Sequence, residues 1–104
     1  MAYRILRHPA VARDLLEIAD LVGKYAGMQI ALNKLDEIEQ RLKALAQTPY
    51  VGTVRDEIYP GQRVIPVARK GMITLVVDDA TMAVLIVSIT YAGADWYRTV
   101  GERG

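Results

Sequence analysis

Apolar residues fall at Val11, Leu15, Ile18, Val22 and Tyr25, in steps of three and four. That spacing puts them on one helical face and predicts a helix from Pro9 to about Tyr25. Arg13, Asp14, Glu17 and Asp20 lie largely off that face. Pro9 suits a first helical turn, and Ala26-Gly27 ends the segment. Met28, Ala31, Leu35, Ile38, Leu42 and Leu45 then recur at the same alternation, predicting a second helix from about Met28 to Gln47. Thr48-Pro49 stops it, because proline disfavours the α conformation in the residue before it. So short a link between two helices makes an antiparallel hairpin.

After Pro49 the period changes. Pro60-Gly61, Lys70-Gly71 and Asp78-Asp79 are turn signals, and the β-branched and apolar runs between them are too short for helices. They predict strands near residues 53–59, 62–69, 72–78 and 83–90. The last two are apolar on both faces (Ile73, Leu75, Val76, Val77; Val84, Leu85, Ile86, Val87, Ile89) and belong at the centre of a sheet. Pro66 cannot donate to a ladder, so its strand is an edge there or is bulged. Residues 3–7 alternate weakly and read as a short strand joining the sheet edge. A short helix is expected over residues 94–100. The order β-αα-ββββ predicts an α+β fold: an N-terminal strand and a helical hairpin packed on a mostly antiparallel four- to five-stranded sheet. Residues 1–104 show no repeat, low-complexity segment or linker and read as one domain.

Composition adds an expectation about surface. The chain is 52% apolar, more than a core of 104 residues hides, which predicts an exposed patch and a protein partner or a homodimer. Charge is balanced. The first fifty residues carry seven bases and six acids, and the rest carry six and six. Without clustered Lys and Arg, strong direct nucleic-acid binding has no support. The lack of Cys excludes disulfides, thiolate metal sites and a Cys nucleophile, and a single His8 cannot build a multi-His site. Asp78-Asp79 reads as a turn rather than a metal site. No metal and no cofactor are expected. Charges throughout residues 1–20 leave no signal-peptide core, and no apolar run approaches ~18 residues, so no membrane helix is expected and the location is read as cytoplasmic.

Four segments carry a resemblance. Arg7-His8-Pro9-Ala10-Val11-Ala12-Arg13-Asp14-Leu15 joins strand to helix. Leu45-Ala46-Gln47-Thr48-Pro49-Tyr50-Val51-Gly52 gives leucine, proline, then glycine. Arg55-Asp56-Glu57-Ile58-Tyr59-Pro60-Gly61-Gln62-Arg63 forms a turn, and Val87-Ser88-Ile89-Thr90-Tyr91-Ala92-Gly93-Ala94-Asp95-Trp96 a closing strand with an acidic, aromatic tail. In this order and spacing, over about residues 3–98, the chain resembles the RelE/ParE superfamily of toxin–antitoxin toxins, especially its ParE-like, plasmid-stabilisation branch. The resemblance implies a toxin held inactive by a cognate antitoxin packed on its surface. It implies one of two activities: messenger cleavage on the ribosome, as in RelE-like members, or inhibition of DNA gyrase, as in ParE-like members.

The residues weigh on that choice. Cleavage through a 2′-hydroxyl needs proton transfer at both oxygens and cations for the developing charge. In RelE-like chains bases on the second sheet strand, an arginine opening the next strand and a C-terminal Arg with Tyr or His supply these. Here the matching strand reads Val64-Ile65-Pro66-Val67, Ile73 falls where the arginine would, and Tyr91-Ala92-Gly93-Ala94-Asp95 follows the last strand. Tyr91 and Tyr97 are the candidate general acids, and an unperturbed phenol near ~10 without neighbouring bases is a poor one. The expectation is therefore a ParE-like toxin that binds DNA gyrase without catalysis. Tyr91 is the catalytic candidate should it be a nuclease, and a non-toxic dimerising module on the same fold is a further alternative. The expected target- or antitoxin-binding residues are Arg63, Arg69, Tyr91, Trp96 and Arg98. The competing readings are that Arg63, Arg69 and Lys70 protect an edge strand, and that Trp96 packs back on the helices.

Overall fold

The computed structural model describes residues 2–57, 59–91 and 102–103. Along the chain they form β1 (Arg4–Arg7), α1 (Val11–Ala26), α2 (Met28–Ala44), β2 (Thr53–Val54), β3 (Gln62–Val67), β4 (Gly71–Asp78) and β5 (Ala83–Tyr91). The sheet order is β1-β5-β4-β3-β2. β2 through β5 pair antiparallel, and β1 lies parallel to β5, with Arg4 opposite Ala83 and Arg7 opposite Ile86. The two strands apolar on both faces, β4 and β5, are central, and β1 is an edge. The helix expected over residues 94–100 lies outside the described residues.

Each boundary has a local cause. His8 continues the β1 ladder by one bond, donating its N–H to the Ile86 carbonyl, while its Nδ1 accepts the Ala10 N–H and so helps open α1. Gly27, at φ 93°, turns the chain between helices, with its N–H on the Gly23 carbonyl. The predicted second helix ran to Gln47; α2 stops at Ala44. Leu45, Ala46 and Gln47 each donate to the carbonyl three residues back, so the end tightens into a 3₁₀-type turn, and the Thr48 hydroxyl takes the Ala44 carbonyl. The strand predicted over residues 53–59 shrinks to Thr53–Val54. Asp56 accepts the Gly61 N–H, and this local bond folds the segment into a turn instead of a ladder. Pro66 pairs opposite Met72 of β4, and β2 reaches only Arg63 and Val64, so β3 is an edge at Pro66.

The core lies between the hairpin and one face of the sheet. Val11, Ile18 and Val22 of α1 and Ala31, Ile38 and Leu42 of α2, with Leu45 just past it, pack on Ile65, Ile73, Leu75, Val84, Ile86 and Ile89. Burying that many aliphatic side chains at ~1.5–3 kcal/mol each is what holds the hairpin on the sheet. At Gly52, φ is 79°, and a Cβ would lie 2.1 Å from Ile65 Cγ2 and 2.3 Å from the Val64 carbonyl oxygen. Only glycine lets the segment after α2 approach β3 so closely.

Candidate functional site

The apolar stripe of α1 contains an acid. Asp14 stands three residues after Val11 and four before Ile18 and is buried with them, although the sequence reading set it largely off that face. Two features of β5 explain its tolerance. β1 ends opposite Ile86, so the β5 edge beyond that point has no strand partner. The β4–β5 register also shifts: Thr74 pairs Ser88 and Leu75 pairs Ile86, leaving Val87 as an extra residue. Asp14 Oδ2 accepts the Ile89 N–H at 2.9 Å, and the Val87 carbonyl accepts Arg103 Nη1 at 3.1 Å. Arg103 also grips both Asp14 oxygens, at 2.6 and 2.7 Å. The guanidinium beside Asp14 is held more strongly protonated than usual. A cleft of about 250 Å³ opens beside this pair, lined by Asp14, Glu17, Ile18, Leu21, Ile89, Thr90, Tyr91 and Arg103.

A second cleft, of about 240 Å³, also reaches Tyr91 and lies where Val22, Tyr25, Ile30, Lys34, Arg69, Lys70 and Tyr91 meet. The β3–β4 turn supplies Arg69 and Lys70, and α2 supplies Lys34. Ala68 and Arg69 both have left-handed backbones, at φ 51° and 69°, a conformation that costs a non-glycine residue ~1–2 kcal/mol. Three features hold the turn. The Ala68 methyl is in the core, the Ala68 carbonyl accepts the Lys70 N–H at 2.8 Å, and Lys34 Nζ reaches the same carbonyl at 3.4 Å. Arg69 and Lys70 remain exposed and form no ion pair with the described residues. Tyr91, at the end of β5, is buried. Burial first, then hydrogen bonding to Tyr25, push its phenol above the ordinary value; Glu37 adds to this and Arg69 opposes it. A phenol so held keeps its proton at neutral pH and serves as a hydrogen-bonding group.

Large apolar side chains are bare around these clefts. Leu21 is 42% exposed, Tyr25 59%, Met28 68% and Ile30 43%, with Leu16 and Leu32 also exposed on the hairpin. Leu6, Tyr50, Val54, Tyr59 and Leu85 are exposed elsewhere, and together these side chains are the bare apolar surface that the composition predicted. Tyr25, counted into the α1 stripe, is its exposed end.

The structure brings Arg69 and Tyr91 together and sets Arg63 apart. Arg63 stands near the start of β3 and Arg69 in the turn past its end; the extended run from Arg63 to Val67 alone spans roughly 13 Å at ~3.3 Å per residue. Arg63 is half-buried, with its guanidinium 5.2 Å from the Tyr50 ring centroid and on the Val51 carbonyl. Tyr50 in turn donates to Asp79 Oδ1, which also accepts the Tyr3 hydroxyl at 2.7 Å. Sharing that carboxylate raises both phenols and lowers Asp79. Trp96 and Arg98 lie outside the described residues. Sequence reasoning missed Asp14, Glu17, Tyr25, Lys34 and Arg103 as parts of this surface. Asp14 alone had a signal, an acid on the apolar stripe of its helix. Ile73, where the resemblance would set a nuclease arginine, is fully buried in the core, and Val64 is 5% exposed. Among the described residues no group of three or more His, Cys, Asp or Glu is placed to hold a metal ion, and no helix is long and apolar enough to cross a membrane.

Comparison with known proteins bears on the whole arrangement. Residues 5–96 match the family described as the ParE toxin of type II toxin-antitoxin system, parDE. No curated protein matches the chain in sequence. Among solved structures, one from the chromosomal ParDE system of P. aeruginosa superposes with a TM-score of 0.73 at 23% identity, covering 88% of this chain and 97% of its own. A double arginine-to-alanine mutant of the E. coli toxin RelE in the free state gives 0.69 at 14% identity, covering 98% and 96%. The intact E. coli RelBE toxin–antitoxin complex gives 0.60 at 14% identity, covering 88% and 98%. At these identities the superpositions establish a shared fold: two helices on a five-stranded, mostly antiparallel sheet.

Proposed function

The chain belongs to the ParE family of type II toxin–antitoxin toxins, and from that premise we propose that it arrests growth by binding DNA gyrase and that a cognate antitoxin holds it inactive. One observation carries the choice of gyrase over messenger cleavage. The positions that would supply cations and proton transfer hold Val64, Pro66 and Ile73, and the first and last of these are buried. Apolar groups cannot stabilise a developing phosphorane, and cations act only where they converge on one reacting centre. Arg63 stands at the far end of β3 from the Tyr91 cleft, and the cations that do meet there, Lys34, Arg69 and Lys70, have no carboxylate or imidazole among the described lining residues to take a proton. The Tyr91 phenol is pushed up by burial, away from the range of an effective acid or base. What the surface does offer is bare apolar area with cations at its rim, the makings of a protein interface.

The test is expression with and without the small protein encoded beside it. Two readouts are followed: supercoiling by gyrase, and messenger cleavage on ribosomes. Loss of supercoiling, relieved by the neighbouring protein, is expected. Messenger cleavage that Tyr91→Phe abolishes, with supercoiling untouched, would replace this reading with the ribonuclease one. Silence in both assays, with no neighbouring frame, would point to a non-toxic dimerising module.

A further inference from the structure

We infer that the cleft between the helical hairpin and the β3–β4 turn binds a small phosphate monoester whose organic part is apolar or aromatic. Three cations reach this cleft from two elements: Lys34 from α2, and Arg69 and Lys70 from the turn. Two phenols, Tyr25 and Tyr91, stand among them. The site is separate from the choice of growth-arrest target and does not depend on it.

The sequence builds this convergence. Lys34 stands three residues after Ala31 and four before Ile38, on the buried stripe of α2, and is itself half-buried. A lysine so placed lays its stem along the edge of the core and holds its ammonium at the rim. That ammonium meets the Ala68 carbonyl at 3.4 Å, a long bond that uses one of its three protons. Register places the turn, since Val67 pairs with Gly71 and Gly71 with Tyr91. A Cβ at Gly71 would lie 2.7 Å from the Val67 carbonyl oxygen and 3.5 Å from the Tyr91 ring, so glycine lets the turn close beside Tyr91. The left-handed backbones of Ala68 and Arg69 are of the kind that gathers at ligand clamps.

The donors fit an anion with several oxygens. No carboxylate lines the cleft among the described residues. Glu37, which acts on Tyr91, lines a neighbouring cleft with Arg41. In a chain of net charge +1, three cations beside one acid form a local excess. Tyr25 and Tyr91 hydrogen-bond each other, so the pair has one O–H left to donate. A single guanidinium fork satisfies a carboxylate. A phosphate monoester brings about −1.5 to −2 of charge and three acceptor oxygens, enough for all three cations and the phenol. The rest of the wall is Val22, Ile30 and the ring of Tyr25, which is 59% exposed. It gives nothing to a free ion and suits an apolar group, or a ring stacked on Tyr25. Pockets for drug-sized ligands measure ~300–1,000 Å³, so a cleft of about 240 Å³ takes something smaller.

The experiment titrates the full chain at low salt with phenyl phosphate, inorganic phosphate and benzoate, followed by calorimetry. Phenyl phosphate is expected to bind tightest of the three. Arg69→Ala with Lys70→Ala, and separately Lys34→Met, should each weaken it about tenfold or more, the loss of a charge-assisted hydrogen bond. Tyr25→Ala should bring phenyl phosphate down to the level of inorganic phosphate. Arg4→Ala, on the far edge strand, should change nothing. Thermal melts show that each variant is folded. Phenyl phosphate that fails to saturate the wild-type chain overturns the site, and so does saturation that both cation variants leave unchanged. Equal affinity for benzoate overturns the phosphate assignment. A short single-stranded oligonucleotide that binds through the same three cations more tightly than phenyl phosphate would give the cleft to nucleic acid instead. Supercoiling and neutralisation are read in separate assays, so this site and the proposed function can each fail alone.

Discussion

Asp14 in the first turn of α1 and Arg103 are joined by a two-pronged ion pair at 2.6 and 2.7 Å, with side chains only 6% and 14% exposed. The pair also satisfies the edge of β5, through the Ile89 N–H and the Val87 carbonyl. Removing either partner leaves the other charge buried. Asp14→Asn or Arg103→Leu should each cost about 2–4 kcal/mol, toward the lower side of the range for buried pairs because Arg103 touches solvent. A double-mutant cycle by chemical denaturation should show coupling of about 2 kcal/mol. Additive effects would mean that the pair contributes nothing of its own.

Gly52→Ala should destabilise by about 2–4 kcal/mol, because a forced clash with β3 adds to a left-handed backbone. Gly61 also has a positive φ, but nothing lies within 4 Å of its Cβ position, so Gly61→Ala should cost about 1 kcal/mol. Denaturant midpoints of the two variants give the comparison, and equal midpoints would show that the approach to Ile65 is slack.

Arg69→Gly relieves a left-handed residue and should stabilise the chain by roughly 0.5–1 kcal/mol. The same change removes a cation from the rim of the Tyr91 cleft. Stability should therefore rise while affinity for phenyl phosphate falls, measured by melting and by titration on one sample. A fall in both would mean that the Arg69 side chain props the turn.

Two carboxylates tie stability to acid. Arg7 holds Glu39 below its ordinary 4.5, and the Tyr50 and Tyr3 hydroxyls hold Asp79 below 3.8. A depressed carboxylate stabilises the fold above its unfolded value, and that contribution is lost as pH falls through the folded one. Melting temperature should therefore drop below about pH 4.5, and less steeply in Glu39→Gln. The Arg7–Glu39 share is small, ~0.5 kcal/mol or less, since both side chains are well exposed.

The phenols behave oppositely at high pH. Tyr50 and Tyr3 are raised above 10.0 by donating to Asp79, so their contribution holds below that value and is lost above it. Ultraviolet titration of tyrosinate should show late-ionising groups that Asp79→Asn brings down. An unchanged titration would remove Asp79 as their cause.

The fold was legible where periodicity and turn chemistry agree. β4 and β5 announced themselves as central by apolar residues on both faces, and Gly27 split the helices. Boundaries shifted where short-range bonds compete with the ladder, as Asp56 does against β2 and as the tightened end of α2 shows. The site was legible only in part. Arg69 and Tyr91 were singled out and stand together because Val67 pairs with Gly71 and Gly71 with Tyr91. Arg63 could not be separated from them without that register. Asp14 was hidden because its burial depends on a residue 89 positions away and on a backbone group that β1 leaves unclaimed.

Pro66 has a consequence for how the molecule can go wrong. It stands where β2 stops covering β3, with no N–H to offer an incoming strand. The opposite border is β1, four residues long with an arginine at each end. Short, charged or proline-bearing borders resist the strand-on-strand growth that builds fibrils. A chain with this much bare apolar surface is thereby steered away from stacking through the borders of its sheet. The bare apolar side chains of the helical hairpin, at Leu16, Leu21, Tyr25, Met28, Ile30 and Leu32, stay open to a partner whatever the sheet borders do.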